Sequence, residues 1–252
     1  MRAVLTYHSI DPSGSPISVA ADDFRRHMRW LAEHNIPVIP LNSILDPGPN
    51  DAVALTFDDG FSNFEKIALP LLVAHGFPAT LFVVSRMVGR TNEWNRVGGS
   101  FRLPVLPLLD WNGVERVSAQ GVDIGAHSRT HPSITSLKKP EVGGEVAGCR
   151  NDIRRALGIT PRSFCYPYGN VNGSVLAAVA ATYTVAVTSE LRELNLAMDK
   201  PHLIPRIDMY YFRRPGRLES WGTSAFSRYL RFRRAGRQAK RSLANVTRTW
   251  RS

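Results

Sequence analysis

Short apolar runs alternate with longer segments of helical period along most of the chain. Several runs, such as Val53-Ala54-Leu55, are apolar at consecutive positions, which is typical of strands covered on both faces of a parallel sheet. The predicted strands are Ala3–Tyr7, Ala52–Phe57, Ala79–Val84, Val122–Ala126, Ser163–Tyr166, Thr184–Thr188 and His202–Ile207. The predicted helices are Ala21–His34, Phe64–His75, Trp111–Gln120, Pro140–Leu157 and Gly173–Ala181.

The alternation of strands and helices predicts an α/β fold. Its seven or so strands favour a (β/α) barrel, closed or nearly closed, over an open doubly wound sheet. In such barrels the catalytic side chains gather at the C-terminal ends of the strands. Chemically active motifs are therefore expected immediately after apolar runs.

Composition excludes several classes of protein. The 252 residues are 43% hydrophobic, 21% charged and 9% aromatic, which argues against disordered, collagen-like and coiled-coil chains. No apolar run approaches the ~20 residues that a membrane-spanning helix requires. A globular domain with a substantial core is expected.

The positive charge is concentrated at the C-terminus. The net charge is +11, yet residues 1–219 hold 23 Lys and Arg against all 21 acidic residues, whereas residues 220–252 hold nine basic residues and no acidic one. We therefore predict a barrel over 1–219 and a basic amphipathic tail, helical or disordered, over 220–252. An anionic membrane surface is a candidate partner for this tail, with simple packing on the barrel as the alternative. Nucleic acid is a less favoured partner because no base-reading motif accompanies the charge.

The N-terminal segment and the cysteines bear on location. The apolar part of residues 2–7 is short for a signal peptide and is typical of a strand. Two cysteines, Cys149 and Cys165, do not make a disulfide framework in a chain of this length. Both features favour a cytoplasmic location, with a peripheral position on the inner face of the membrane if the tail binds lipid.

Two sequence motifs carry candidate chemistry at predicted strand ends. Asp58 and Asp59 end an apolar strand before Gly60, where a turn of the backbone can bring both carboxylates to one site, although a solvated turn is the alternative. His127 and His131 follow another strand at a spacing of i, i+4, which would aim both imidazoles the same way on a helical turn. With one carboxylate they make a two-histidine, one-aspartate metal set that leaves positions open for water and substrate.

A third segment, Tyr166-Pro167-Tyr168-Gly169, is weak evidence by itself, since an ordinary turn after a strand has the same composition. Taken in order, however, Thr-Phe-Asp-Asp-Gly, His-Ser-x-x-His-Pro and Tyr-Pro-Tyr-Gly resemble the motifs of the polysaccharide deacetylase family (the NodB-homology domain, carbohydrate esterase family 4). The resemblance covers Ala3–Met209. It implies a distorted, NodB-like (β/α) barrel of about seven strands. It also implies a divalent metal, most simply zinc with cobalt, nickel, manganese or iron as alternatives, and hydrolysis of N-acetyl groups on sugars.

The resemblance also implies roles for individual residues. Asp59, His127 and His131 become metal ligands, Asp58 the general base, and the backbone N–H of Tyr168 a donor to the oxyanion. Tyr166, Pro167 and Trp94 are expected to contact substrate, although core packing explains Trp94 equally well.

Two departures from the family pattern lead to further predictions. Many members have an arginine where this chain has Cys165, and we predict that Arg206 contacts Asp58 or substrate instead. The usual histidine motif of the general acid is missing, and His8 is the leading candidate for that role, with His202 or water as alternatives.

The predicted function is therefore metal-dependent removal of N-acetyl groups from a polysaccharide or lipid-linked glycan. The alternatives are hydrolysis of another non-peptide C–N bond, as in a deformylase or amidase, and non-catalytic binding of carbohydrate or a polyanion. The oligomeric state is not indicated by the sequence.

Overall fold

The computed structural model describes residues 1–96 and 103–249, with side chains described except at residues 95, 96 and 240–249. Its strands are β1 (Arg2–Tyr7), β2 (Ser9–Ile10), β3 (Ser18–Val19), β4 (Ala52–Phe57), β5 (Ala79–Val83), β6 (Asp123–Ala126), β7 (Ser163–Cys165), β8 (Val185–Val187) and β9 (Ile207–Asp208). Its α-helices are α1 (Ala21–Glu33), α2 (Leu69–His75), α3 (Trp111–Ala119), α4 (Lys139–Leu157), α5 (Gly173–Ala180) and α6 (Ser224–Thr249). A π-helical segment, Phe64–Ala68, leads into α2.

Seven of the strands form one curled parallel sheet in the order β8-β7-β6-β5-β4-β1-β9, and β2 pairs with β3 beside it. The segment 204–208 spans the two edges of the large sheet, because Ile204 bridges to Val187 of β8 while Ile207 pairs with Leu5 of β1. The predicted distorted barrel is confirmed, and this segment forms its closing seam.

The last strand is much shorter than predicted. Only Ile207–Asp208 pairs as a strand, whereas His202–Ile207 was expected. Pro205 lies inside the predicted range and has no N–H to give to a strand ladder, which is a physical reason for the interruption. The small sheet of β2 and β3 was not predicted, since two-residue strands carry almost no periodicity.

Consecutive apolar residues of the strands fill two separate clusters. In β4, Val53 and Leu55 point to the layer between the sheet and the helices, while Ala54 points into the barrel with Val4 and Phe82. Side chains alternate across a strand, so a strand buried on both faces must be apolar at each position. This explains why the strands read as unbroken apolar runs.

Helix α6 begins as part of the barrel. Phe226 and Leu230 are buried in the same cluster as the helix layer, and the Tyr229 hydroxyl donates to the Tyr211 carbonyl at 2.7 Å. The predicted division between residues 219 and 220 stays a prediction, but the first turns of the predicted tail share the core. None of the helices in the described part of the chain is both long and apolar enough to cross a membrane.

A buried histidine joins β1, α1 and the segment that follows β9. The Tyr7 hydroxyl donates to Nδ1 of His27 at 3.1 Å, and Nε2–H of His27 donates to the Phe212 carbonyl at 3.0 Å. The Phe212 carbonyl only accepts, which places a proton on Nε2, and in the neutral imidazole Nδ1 is left to accept from Tyr7. Burial lowers the pKa of His27 from 6.5 to about 4.

We expect acid to destabilise the fold through His27. Above pH 6.5 the imidazole is neutral in both the folded and the unfolded chain. As pH falls from 6.5 to 4 only the unfolded chain takes up the proton, which should cost about 3 kcal/mol of stability. Urea unfolding at pH 7, 5.5 and 4.5 measures this loss. The variant His27→Gln should show a smaller loss over the same window, and parallel profiles for the two proteins would contradict the assignment.

Candidate active site

The candidate catalytic side chains follow the C-terminal ends of four strands of the large sheet. His8 follows β1, Asp58 and Asp59 follow β4, His127 follows β6 and Tyr166 follows β7. The N–H of Asp58 still donates to the Tyr7 carbonyl at 3.0 Å, so the first carboxylate leaves from the very end of the sheet. Motifs far apart in sequence therefore meet at one mouth of the barrel, as the fold predicts.

The backbone turns sharply between the two adjacent aspartates. Asp59 has φ 73° and Gly60 has φ 77°, so two consecutive residues are left-handed. Aspartate tolerates this region better than most residues, and glycine has no penalty there. The turn brings both carboxylates into one pocket, where Asp58 is 2% and Asp59 is 5% exposed.

Arg206 pairs with Asp58 through two hydrogen bonds. Nη1 donates to Oδ1 at 2.7 Å and Nη2 donates to Oδ2 at 2.8 Å, and the guanidinium is itself buried. Burial alone would raise the pKa of Asp58, but the charge and hydrogen bonds of Arg206 outweigh it and hold this pKa well below its usual range. Asp58 is therefore an ionised carboxylate with a fixed orientation.

Asp59 faces two imidazoles. Its Oδ1 lies 3.5 Å from Nε2 of His127 and 3.5 Å from Nε2 of His131, and these two nitrogens are 3.2 Å apart. Oδ1 is buried and has no hydrogen-bond partner. Burial raises the pKa of Asp59 and lowers that of His131 well below its usual value, so the imidazole of His131 is neutral.

These three residues fit a divalent metal ion. Donor atoms held around one ion at about 2.0–2.2 Å in tetrahedral geometry lie about 3.3–3.6 Å apart, close to the spacings found here. Nδ1–H of His127 donates to the Cys165 carbonyl at 2.8 Å, which leaves the lone pair of Nε2 directed at the site. An orphaned buried carboxylate oxygen beside two imidazoles is the donor set that zinc and related metals prefer.

A second group, Asp58, His127 and Cys165, also has its donor atoms within 4.8 Å of one another. It fits a cation less well, because Arg206 already occupies both oxygens of Asp58. Burial also raises the pKa of the Cys165 thiol well above its usual value. Cys165 instead lies against Arg206, whose Nη2 is 3.2 Å from the sulfur.

The turn that carries both histidines is not helical, so the interpretation as one helical turn was wrong. Ser128 has φ 63° and His131 has φ 59°, and the N–H of His131 donates to Oγ of Ser128 at 3.0 Å. Glu145 of α4 holds the turn from outside, accepting the N–H groups of Arg129 at 2.8 Å and Thr130 at 2.9 Å. The helix thereby fixes the direction of both imidazoles.

We expect Glu145→Gln to weaken metal binding by about 10–100-fold, because one amide oxygen replaces a charged carboxylate that accepts both N–H groups of the turn. Competition with a fluorescent chelator measures this affinity. Glu141→Gln is the matched control, since Glu141 lies on the same helix and accepts the N–H of Lys138, which is outside the histidine turn. Equal metal affinity in the two variants would show that Glu145 does not position the ligands.

The catalytic side chains line a pocket of about 390 Å³. Tyr168 lies at its edge with φ 58°, 45% exposed, and its ring is 4.7 Å from that of His131. Tyr166 also lines the pocket, with its hydroxyl donating to the His202 carbonyl at 3.0 Å. His8 lines it too, with Nε2 3.7 Å from Oδ2 of Asp58.

Three other residues that the sequence suggested for the site are not among the described residues that line this pocket. Trp94 lies against His131, with the two rings 4.9 Å apart, and Pro167 is buried below the turn. His202 is turned away, since its Nε2–H donates to the Tyr183 carbonyl at 2.9 Å. Of the two histidines weighed as general acid, His8 is the one in the pocket.

Comparison with known proteins agrees with this geometry. The profile of the polysaccharide deacetylase family matches residues 46–186, more than half of the chain, and includes both aspartates and both histidines. The chain belongs to the polysaccharide deacetylase family.

The curated relatives in this family are longer than the matched region. YxkH of Bacillus subtilis is 26% identical over 194 residues, which cover 74% of this chain and 64% of that protein. A chitooligosaccharide deacetylase of Bradyrhizobium is 31% identical over 138 residues, or 54% of each chain. The peptidoglycan-N-acetylglucosamine deacetylase PgdA of Listeria monocytogenes is 30% identical over 127 residues, 50% of this chain and 23% of PgdA. The chain thus spans less than two thirds of each.

Solved structures show the same polysaccharide deacetylase fold. IcaB from Ammonifex degensii superposes with a TM-score of 0.71 at 20% identity, covering 90% of this chain and 96% of IcaB. The Streptococcus pyogenes deacetylase PplD, solved with acetate, superposes with a TM-score of 0.69 at 20% identity, covering 82% and 91%.

Sequence reasoning missed two residues that shape this polysaccharide deacetylase site. Glu145 lies in the middle of a helix, where an acidic residue is normally interpreted as part of the solvent-exposed face. Arg237 of α6 lines the catalytic pocket, although the basic tail was treated as separate from the barrel. The only signal for Arg237 was the charge count, which does not say where an arginine lies.

Proposed function

We propose that the protein hydrolyses the acetamide of an N-acetylated sugar in a glycan, using a divalent metal, most simply zinc, held by Asp59, His127 and His131. The observation that carries this proposal is the orphaned Oδ1 of Asp59 facing two imidazoles beside an ionised Asp58. The activities named for its relatives, removal of acetyl groups from chitooligosaccharide or peptidoglycan, support it.

The reaction needs a base that stays ionised. Water adds its oxygen to the amide carbon, the C–N bond breaks, acetate leaves and the amine nitrogen gains a proton. Arg206 fixes the Asp58 carboxylate to receive the proton of the water, although the lowered pKa also makes Asp58 a weak base. When bound, the metal supplies the missing driving force by polarising the carbonyl and acidifying water.

Two further residues complete the proposal. His8 is proposed to protonate the departing amine, and its position in the pocket beside Asp58 at the end of β1 supports this role. The backbone N–H of Tyr168 is proposed to donate to the developing oxyanion, from the left-handed turn that follows β7.

His8→Gln is expected to lower kcat by about 10²-fold, because glutamine keeps the polar contact but cannot transfer the proton. The limb of the pH–rate profile that reports the acid should flatten at the same time. Steady-state acetate release between pH 5 and 9 measures both effects. A variant with wild-type kcat and an unchanged profile would assign the proton to water.

The proposed function is tested by coupled detection of acetate released from chitotetraose and other N-acetylated glycans. Treatment with a chelator should abolish release, and added zinc or cobalt should restore it. Acetate release that survives complete metal removal would refute metal dependence. Glycan binding without any release, by protein shown to contain metal, would favour a non-catalytic carbohydrate-binding protein.

A further inference from the structure

Helix α6 packs against the barrel with one side. Phe226 and Leu230 are buried in the core, and Arg237 lines the catalytic pocket. Phe232 follows Leu230 by two residues, and Ala239 follows Arg237 by two. In an α-helix two residues turn a side chain by about 200° around the axis. Phe232 and Ala239 therefore lie on the side of α6 that faces away from the barrel.

This outer side carries an apolar stripe. Phe232, Ala235 and Ala239, termed the outer stripe, are separated by three and four residues, which places them on one side of the helix. All three are exposed, and Phe232 is 70% exposed. Leu243 and Val246 continue the same spacing in the sequence. Packing against the barrel does not account for an apolar stripe at these positions.

Positive charge accompanies the outer stripe. Helix α6 contains eight lysines and arginines and no acidic residue. Arg228 and Arg231 are exposed, and neither has a carboxylate within salt-bridge distance in the described part of the chain. Arg234 and Arg237, by contrast, form ion pairs with carboxylates of the barrel. The exposed side of the helix therefore combines apolar side chains with uncompensated positive charge.

This combination favours one kind of partner over two others. A second copy of the chain, packed through the same stripe, would bring two sets of eight positive charges together. Nucleic acid would neutralise the arginines but would leave Phe232 without an apolar contact. The interface of an anionic lipid bilayer satisfies both needs, because its acyl chains accept apolar side chains and its phosphates attract arginine.

We propose that α6 is an interfacial helix that docks the protein on anionic lipid membranes. The outer stripe enters the boundary between headgroups and acyl chains, and Arg228 and Arg231 lie at the lipid phosphates. The outer stripe and the catalytic pocket lie on opposite sides of α6, so the docked protein holds its pocket about one helix diameter, ~10 Å, from the lipid and open to water. Docking of this kind does not depend on the reaction that takes place in the pocket.

Co-sedimentation of the full chain with lipid vesicles tests the docking. One set of vesicles is phosphatidylcholine with about 30% phosphatidylglycerol, and the other is phosphatidylcholine alone. We expect the partition coefficient to be at least about tenfold higher for the anionic vesicles. It should fall as the salt concentration rises from about 0.1 M to about 1 M, because salt screens the attraction between arginine and phosphate. Equal partitioning into both sets, or no binding to the anionic set, would overturn the proposal.

Substitutions on α6 separate the apolar contribution from the charge. Phe232→Ser should lower the partition coefficient for anionic vesicles by about tenfold, whereas Phe232→Leu should retain it. Arg228→Gln/Arg231→Gln should also lower it by about tenfold. The matched control is Arg25→Gln/Arg155→Gln, which removes two exposed charges from α1 and α4 and should retain the wild-type value. A control that loses as much binding as the α6 variant would show that net charge alone attracts the protein, contrary to the proposal.

A fluorescent label reports which side of the protein meets the lipid. Both native cysteines, Cys149 and Cys165, are buried, so a cysteine added at the surface can be labelled selectively. An environment-sensitive dye at Ala235→Cys should shift its emission to the blue on anionic vesicles. The same dye at Ser174→Cys, an exposed position on α5, should not shift. Shifts of equal size at the two positions would contradict docking through α6.

Analytical ultracentrifugation over a range of protein concentrations tests the second copy as an alternative occupant. We expect the wild type and Phe232→Ser to have the same distribution of oligomeric states, because the outer stripe binds lipid. Association of the wild type that Phe232→Ser abolishes, without binding of the wild type to anionic vesicles, would assign the outer stripe to a second copy of the chain and refute membrane docking.

Discussion

Asp58→Asn is expected to lower kcat for acetate release by about 10²–10⁴-fold while metal remains bound. Asparagine has nearly the same shape and keeps an oxygen for Arg206, but it has no charge and cannot accept the proton of water. Coupled acetate detection gives kcat, and mass spectrometry of the native protein gives the metal content. The substitution leaves the charge of Arg206 buried beside a neutral amide, which destabilises the fold. The assay should therefore be run well below the unfolding temperature of the variant.

Asp59→Asn is the matched comparison for this variant. It makes the same chemical change one residue along, at the carboxylate that faces His127 and His131. It should lose both metal and activity, whereas Asp58→Asn should lose only activity. If Asp58→Asn kept more than a tenth of the wild-type kcat, another group would have to be the base.

Arg206→Met is expected to cost about 3–5 kcal/mol of stability as well as activity. The substitution leaves the Asp58 carboxylate buried without the two hydrogen bonds that now compensate its loss of water. Urea unfolding at neutral pH measures the free energy of unfolding. Arg25→Gln, which removes a surface ion pair with Asp22, is the control and should change stability little.

The double variant Asp58→Asn/Arg206→Met sharpens this prediction. Removing both charges leaves no buried unpaired ion, so the double variant should be more stable than Arg206→Met alone, although it stays inactive. Strictly additive losses of stability would mean that the two side chains do not depend on each other, contrary to the geometry.

The strands and the positions of the proposed metal ligands could be predicted because their signals are local. A strand buried on both faces must be apolar throughout, and its last residue must point into the mouth of the barrel, so Asp58, Asp59 and His127 could be placed without coordinates. His131 was placed by its spacing, but for an incorrect reason, since the turn is held by Ser128 and Glu145 and is not helical.

Interactions between distant segments could be predicted only in part. The partnership of Arg206 with Asp58, 148 residues apart, was expected because Cys165 left a charge to be supplied, yet its two-bond geometry and burial were not. The amphipathic pattern of residues 220–252 allowed a helix to be predicted, but not its course past the catalytic pocket. Arg237 becomes a pocket residue only because Phe226 and Leu230 fix the helix against the core.

The closing seam at residues 204–208 imposes an order on the assembly of the site as the chain leaves the ribosome. The three proposed ligands have all been made by residue 131, but the cation that neutralises Asp58 arrives only with residue 206 and the helical wall only with residue 237. Until then the nascent barrel has two unpaired strand edges, at β8 and β1, and an uncompensated carboxylate at its mouth. Water therefore retains access to the mouth of the barrel until residues 204–208 have been made and paired.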